Sequence, residues 1–308
     1  MLLRCWRARL TLTASLVCAA ALLLIAYFGL LFAWERLARQ VQSWRPAAAV
    51  AAPALLAVPY AIVSLPAGMF RWHWLLLYIF APVGIAALMW NGSRRDPEQR
   101  TSWREWLILL LLGLAVDLRW FESAWPHGMG VFNKVLLLNG GLYGMQVVRR
   151  LNGVGLDLRF RTSDWLTGFR ELGFYAPVAI ALGLLLGFLH LHPVLPNPLH
   201  AVAAWIFTFL FIALPEEIFF RGWMQNLLER HMAARSPAHA RVYALLLTSI
   251  VFGLSHFNKR TSFFNWRYVL LATIAGWFYG RAWRKDRRVA ASSITHATVD
   301  TIWGLWLR

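Results

Sequence analysis

Ten stretches of this chain stay apolar over about the length that crosses a bilayer, and that repetition limits what it can fold into. They lie at about 10–34, 47–65, 72–90, 106–120, 129–148, 172–191, 199–214, 242–257, 267–282 and 289–307. A helix of roughly 20 apolar residues spans the hydrocarbon core. The run 106–120 is broken by Asp117 and Arg119 and reads as short or re-entrant. The expectation is an all-α polytopic transmembrane bundle of about 8–10 spans. Composition agrees: 59% of the 308 residues are hydrophobic and 15% charged, where soluble chains run about 45–50% and 25%.

The net charge is +17, from 31 basic and 14 acidic residues. Most arginines fall between the apolar runs, the pattern of membrane loops. There is no separate basic domain, so a nucleic-acid partner is not expected; the partners implied are the bilayer and whatever lies in it. One loop phase gathers Arg36, Arg39 and Arg45, then Arg94, Arg95, Arg100 and Arg104, then Arg149, Arg150, Arg159, Arg161 and Arg170. It continues with Arg230, Arg235 and Arg241, then Arg281, Arg284, Lys285, Arg287 and Arg288. That phase places the N-terminus outside, against the pull of Arg4, Arg7 and Arg9. The first run is longer than the apolar region of a signal peptide and reads as an uncleaved span. The expected location is a bacterial inner membrane, crossed several times.

Cys5 and Cys18 supply neither a disulfide framework nor a cysteine-based metal site. The 18 tryptophans gather near run ends, as aromatic belts do. Gly140, Gly141 and Gly144 suit close helix packing. The basic stretch 149–171 is the longest soluble piece and divides the chain. Residues 1–170 form an N-terminal transmembrane region of unknown role, and 171–308 form a second domain.

Ionisable groups inside spans are expensive and therefore informative. They concentrate in the second domain, in three clusters. The first is Pro215-Glu216-Glu217-Ile218-Phe219-Phe220-Arg221, at the end of the run from Leu199. On a helix Glu217 and Arg221 share a face, while Glu216 points about 100° away, toward any polar cavity. Two carboxylates beside one arginine can divide their work, one as an ionised anchor and the other as a base. The second is Phe252-Gly253-Leu254-Ser255-His256, whose histidine alone reads as interfacial. The third is His296-Ala297-Thr298-Val299-Asp300, where histidine and aspartate share a helical face and the carboxylate can fix the imidazole tautomer. Together these groups could activate water, with a glutamate as general base and histidines orienting or stabilising an oxyanion. They could equally bind a metal through Glu216, His256 and His296, with water completing the site. The residue list leaves both open.

Glu216-Glu217-x-x-x-Arg221, Phe252-x-x-x-His256 and His296-x-x-x-Asp300, in that order within apolar helices, resemble the motif series of the CPBP family. That family includes type II CAAX prenyl proteases and bacteriocin-processing and immunity proteins. The resemblance covers about 199–307. It implies an all-helical intramembrane endopeptidase cutting a membrane-associated peptide or protein: a CAAX-type end, a leader or a C-terminal sorting tail. By it, Glu216 and His256 activate the attacking water, while His296 and Asp300 complete the site and stabilise the oxyanion. Glu217 and Arg221 support the first motif. The family's last motif commonly ends in Asn; an ionised Asp300 cannot donate to an oxyanion, which points it toward orienting His296. A metal-free glutamate mechanism is the favoured form, with a divalent metal such as zinc as the alternative.

Other protease signatures are absent or out of place. No His-Glu-x-x-His occurs, Gly253-Leu254-Ser255 is followed by histidine, and Gly153-Val154-Gly155-Leu156-Asp157 is one residue too long for a Gly-x-Gly-Asp motif. The competing class is a non-enzymatic membrane protein, either an immunity binder or a proton-coupled transporter. The lack of a symmetric repeat of broken helices weighs against the transporter.

Overall fold

The computed structural model describes residues 13–192, 195–259 and 264–307. Arg4, Cys5, Arg7 and Arg9 lie outside them. The described residues form eleven helices: α1 (Ala14–Phe32), α2 (Trp34–Gln42), α3 (Pro46–Ser64), α4 (Trp72–Arg95), α5 (Trp103–Asp117) and α6 (Gly130–Leu142, continued as a π-helix over Tyr143–Val148). Then come α7 (Thr162–Leu185), α8 (Pro198–Ala233), α9 (Pro237–Leu254), α10 (Trp266–Asp286) and α11 (Val289–Trp306). No strand occurs among the described residues, so the protein is an all-α polytopic bundle.

Each of the ten apolar runs falls on a helix, and among the described residues six helices are long and apolar enough to cross a membrane: α1, α3, α4, α7, α8 and α9. Of the others, α5 has 15 residues, α10 carries Arg267, Arg281, Arg284, Lys285 and Asp286, and α11 carries Ser292, Ser293, Thr295, His296 and Asp300. The polar residues that lower the hydropathy of α11 are the ones from which a site can be built. The largest change from the sequence reading is in α8. Its apolar run stops near residue 214, yet the helix continues to Ala233. Glu216, Glu217 and Arg221 therefore sit in mid-helix rather than at a boundary.

Two compact units divide the chain, Met1–Leu151 and Asn152–Arg308. The first is tied together by an aromatic and polar core. The Trp125 indole donates to the Tyr78 hydroxyl at 2.7 Å, which lies 3.1 Å from Asn133 Oδ1. Arg149 is buried and joins Glu105 at 2.6 Å and Asp96 at 2.7 Å. It also donates to the carbonyls of Gly92 and Asp96, capping the end of α4. A Cβ on Gly144 would lie 2.4 Å from Ile85 Cγ2, so that glycine permits the close helix approach expected of it.

In the second unit the segment after Asn152 acts as a clasp on the start of α11. The Val289 amide donates to Gly155 O at 3.0 Å, and the Trp283 indole donates to Val154 O at 3.0 Å. Gly155 has φ +77°, and a Cβ there would lie 1.9 Å from Arg287 O, so only glycine fits. Arg288 is buried and grips Asp164 through Nε at 2.6 Å and Nη2 at 2.9 Å, and Asp157 through Nη1 at 3.0 Å. Gly153–Asp157, which missed a protease signature by one residue, is the body of this clasp. Hydrogen bonding from the Arg159 side chain, helped by Arg288, holds the Asp157 carboxyl well below the usual carboxylate range.

Two outcomes follow. Gly155→Ala should cost about 3 kcal/mol, through left-handed strain and collision with a backbone carbonyl, read as a lower thermal midpoint in detergent. The Asp157 link stabilises the folded state fully above about pH 4, where the unfolded carboxyl ionises, and fades as acid approaches the depressed folded value. Asp157→Asn should therefore flatten the fall of the thermal midpoint between about pH 5 and 3, and an unchanged slope would contradict the assignment.

Candidate active site

Glu216 and Glu217 stand on a short α-helical turn, Leu214–Glu217, between two π-helical segments of α8, Phe209–Ala213 and Ile218–Gln225. Pro215 explains part of this. It has no N–H and its ring crowds the preceding turn; the widened turn just before it accommodates both. Wide turns of this kind recur at functional sites because they re-aim side chains.

Glu217 is wholly buried and holds two partners. Its Oε1 lies 2.9 Å from His296 Nδ1, hydrogen-bonded, and its Oε2 lies 3.1 Å from Arg221 Nε. The second contact is an ion pair at distance without hydrogen-bond alignment. The Arg221 guanidinium is also fully buried. It rests 4.9 Å over the Phe252 ring and 5.9 Å from those of Phe220 and Tyr279, a weakly hydrated cation on aromatic faces.

His296 is enclosed from two sides. Tyr279 stacks on it at 4.5 Å and 17°, and Phe252 meets it edge-on at 5.7 Å. With Nδ1 engaged by Glu217, its Nε2 faces Glu216 Oε2 at 3.8 Å and Asp300 Oδ2 at 3.5 Å. The shorter hydrogen bond to the ring is with Glu217, across helices, while Asp300 on its own helix stands 3.5 Å from Nε2. Glu216 is the most open of the three carboxylates, with 36% of its side chain exposed, and its inner oxygen has no hydrogen-bond partner.

His256 lies in the turn just past α9. Its Nδ1 is 2.8 Å from Phe252 O and 3.2 Å from Ser255 Oγ, and its ring packs against Tyr268 at 4.8 Å. Among the described residues it makes no direct hydrogen bond to Glu216. It reaches the cluster through a cavity of about 100 Å³ that it lines together with His296 and Asp300. The walls are apolar and aromatic, from Leu172 and Ala176 of α7 to Phe188, Leu271 and Val299. The carboxylates of Glu216 and Glu217 meet this cavity by way of His296 rather than lining it.

Five of the six residues singled out in the sequence are therefore brought together directly, and His256 joins them across the cavity. Among the described residues no group of three or more His, Cys, Asp or Glu side chains is found in a metal-holding arrangement. Two residues of this region that the sequence did not single out are Tyr279, stacked on His296, and Glu171. Tyr279 looks in sequence like any aromatic of a membrane helix. Glu171 is buried in α7 and paired with Arg170 at 2.8 Å and Arg281 at 3.1 Å; a carboxylate inside an apolar helix was the available signal.

Comparison with known families falls on this same region. Residues 198–302, from the start of α8 nearly to the end of α11, match the model of the type II CAAX prenyl endopeptidase Rce1-like family. This segment is Rce1-like. The match is consistent with the CPBP family and implies an intramembrane endopeptidase, with a peptide or protein substrate, in an integral multi-pass membrane protein. No curated protein and no solved structure matches the chain. The Rce1-like segment leaves out α7, which supplies one wall of the cavity.

Arg221→Met should destabilise the fold by about 3–5 kcal/mol, because it leaves the Glu217 carboxylate buried beside a lost cation. Adding Glu217→Gln should recover most of that loss. Thermal midpoints of the single and double variants in detergent check the coupling, and a double variant no better than Arg221→Met would refute it.

Proposed function

We propose that this protein is a glutamate-type intramembrane endopeptidase and that Glu216 is its general base. What carries the reading is the unequal use of two neighbouring carboxylates inside a segment matching an endopeptidase family. Glu217 is fully occupied by Arg221 and His296. Glu216 is partly open, with an unbonded oxygen turned toward His296. The first is an anchor, and the second has the freedom a base needs.

A water held between Glu216 and His256 is the nucleophile. Its oxygen attacks the scissile carbonyl carbon while its proton passes to the Glu216 carboxylate. The carbonyl π pair becomes an oxyanion, beside which the His296 imidazole is held by Glu217. Collapse of the tetrahedral intermediate breaks the C–N bond, and the proton on Glu216 goes to the departing amine. The apolar cavity keeps bulk water from the reacting bond and gives an apolar stretch of substrate somewhere to lie. Asp300, at 3.5 Å from Nε2, restrains the outer edge of the ring. Substrates in keeping with this site are membrane-associated chains cut near a lipid-proximal end: CAAX-type ends, leaders or sorting tails.

Glu216→Ala and His256→Ala should each lower turnover by roughly 10²–10⁴-fold, the range of a lost acid–base group, while the protein still accumulates in the membrane. Comparing the termini of membrane proteins between a deletion strain carrying the wild type and one carrying each variant identifies the substrate and gives the readout. Processing that persists at the wild-type level in either variant removes that residue from the water-activating pair.

A further inference from the structure

The cavity side of the site is rich in acceptors and short of donors, because the guanidinium of Arg221 is buried over the Phe252 ring and does not line the cavity. Glu216, Glu217 and Asp300 crowd one imidazole, and ionised carboxylates only accept hydrogen bonds. An oxyanion forming among them requires a donor, since electrostatic stabilisation of that oxygen is commonly the largest single contribution to acyl-transfer catalysis. The imidazoles are partly committed, His296 Nδ1 to Glu217 Oε1 and His256 Nδ1 beside Phe252 O. Three tyrosines line the cavity: Tyr175 turns its hydroxyl to Leu271 O at 3.5 Å, and Tyr268 packs against His256 at 4.8 Å rather than against His296. Tyr279 lines the same cavity, is 1% exposed, and lies face to face with His296, the closest aromatic partner that imidazole has, at 4.5 Å and 17°.

We infer that Tyr279 is a further catalytic residue, whose phenol donates a hydrogen bond to the oxyanion formed when water attacks the scissile carbonyl. This rests on the endopeptidase reading above. The phenol keeps its proton throughout: it stabilises charge on the carbonyl oxygen and transfers nothing. An ordinary tyrosine holds that proton to about pH 10, so the donor is present wherever the enzyme works. The stack serves the same end. It keeps the ring beside the imidazole on a rigid helix, where little reorganisation is needed as charge develops. The close seating of α10 is built in by Gly276, where a Cβ would come within 3.1 Å of Ser249 Cα.

The test uses the full-length protein in detergent with a fluorogenic peptide spanning the cleavage site found by the terminus comparison. A second probe is the same peptide with a phosphinate at the scissile bond. Tyr279→Phe keeps the ring and removes only the O–H. Its kcat should fall by about 10²–10³-fold with KM within about twofold of the wild type, and the phosphinate peptide should lose affinity while the plain peptide does not. A Tyr279→Phe enzyme with wild-type kcat and phosphinate affinity overturns the assignment. Should its thermal midpoint also drop, the ratio of phosphinate to plain-peptide affinity in the folded fraction still decides, since misplacement weakens both and a lost oxyanion donor weakens the first. Glu216→Ala, run alongside, separates the two readings. A dead Glu216→Ala with a normal Tyr279→Phe removes only the donor, and an active Glu216→Ala with an impaired Tyr279→Phe removes only the base.

Discussion

A single buried carboxylate holds the second unit's candidate site together. Glu217 is shut away from solvent, and burying a charge is tolerable only when it is paired and hydrogen-bonded. It meets that condition with Arg221, one helical turn away, and with His296, on the last helix. The carboxylate is thereby a joint between α8 and α11. Because one of its oxygens takes the imidazole Nδ1, the opposite edge of the ring must face Glu216 and Asp300. The aromatic enclosure of Phe252 and Tyr279 then removes the rotation that remains. The orientation of the ring and the seating of α11 against α8 both follow from where one carboxylate is put.

Much of this was legible in the chain. Apolar runs of bilayer length gave the helices, and ionisable groups in or just beyond those runs marked the candidate site, because lipid makes unneeded charge costly. The spacing of Glu217 and Arg221 foretold their pairing. What spacing could not give was partnership across helices. His296 and Asp300 share a face, yet His296 is oriented by a glutamate 79 positions earlier, and no local pattern encodes that. The length of α8 was hidden for a related reason: polarity marks the end of an apolar run, but a paired polar residue need not end a helix.

Arginines were the other blind spot. Read as loop charge, Arg149 and Arg288 look like topology signals, and their positions between apolar runs fit that role. The folded chain buries both among carboxylates and backbone carbonyls. Net charge and loop location describe where an arginine lies in sequence; only its neighbours say whether it orients the protein in a membrane or ties two segments together. Glu171 makes the complementary point, since its partners Arg170 and Arg281 come from two separate helices.

The clasp at Gly155 and Arg288 has a consequence for where the working module begins. The stretch with family likeness opens at residue 198, but the helix bearing His296 is anchored by groups at 155, 157 and 164, and the cavity is walled by α7. The inheritable motif and the self-supporting body are different lengths of chain. A fragment cut to the motif would carry Glu216, Glu217, Arg221, His256, His296 and Asp300 and lack the footing that seats the last helix. Variation in the segment before the motif therefore acts on the seating of the last helix without touching the residues of the candidate site.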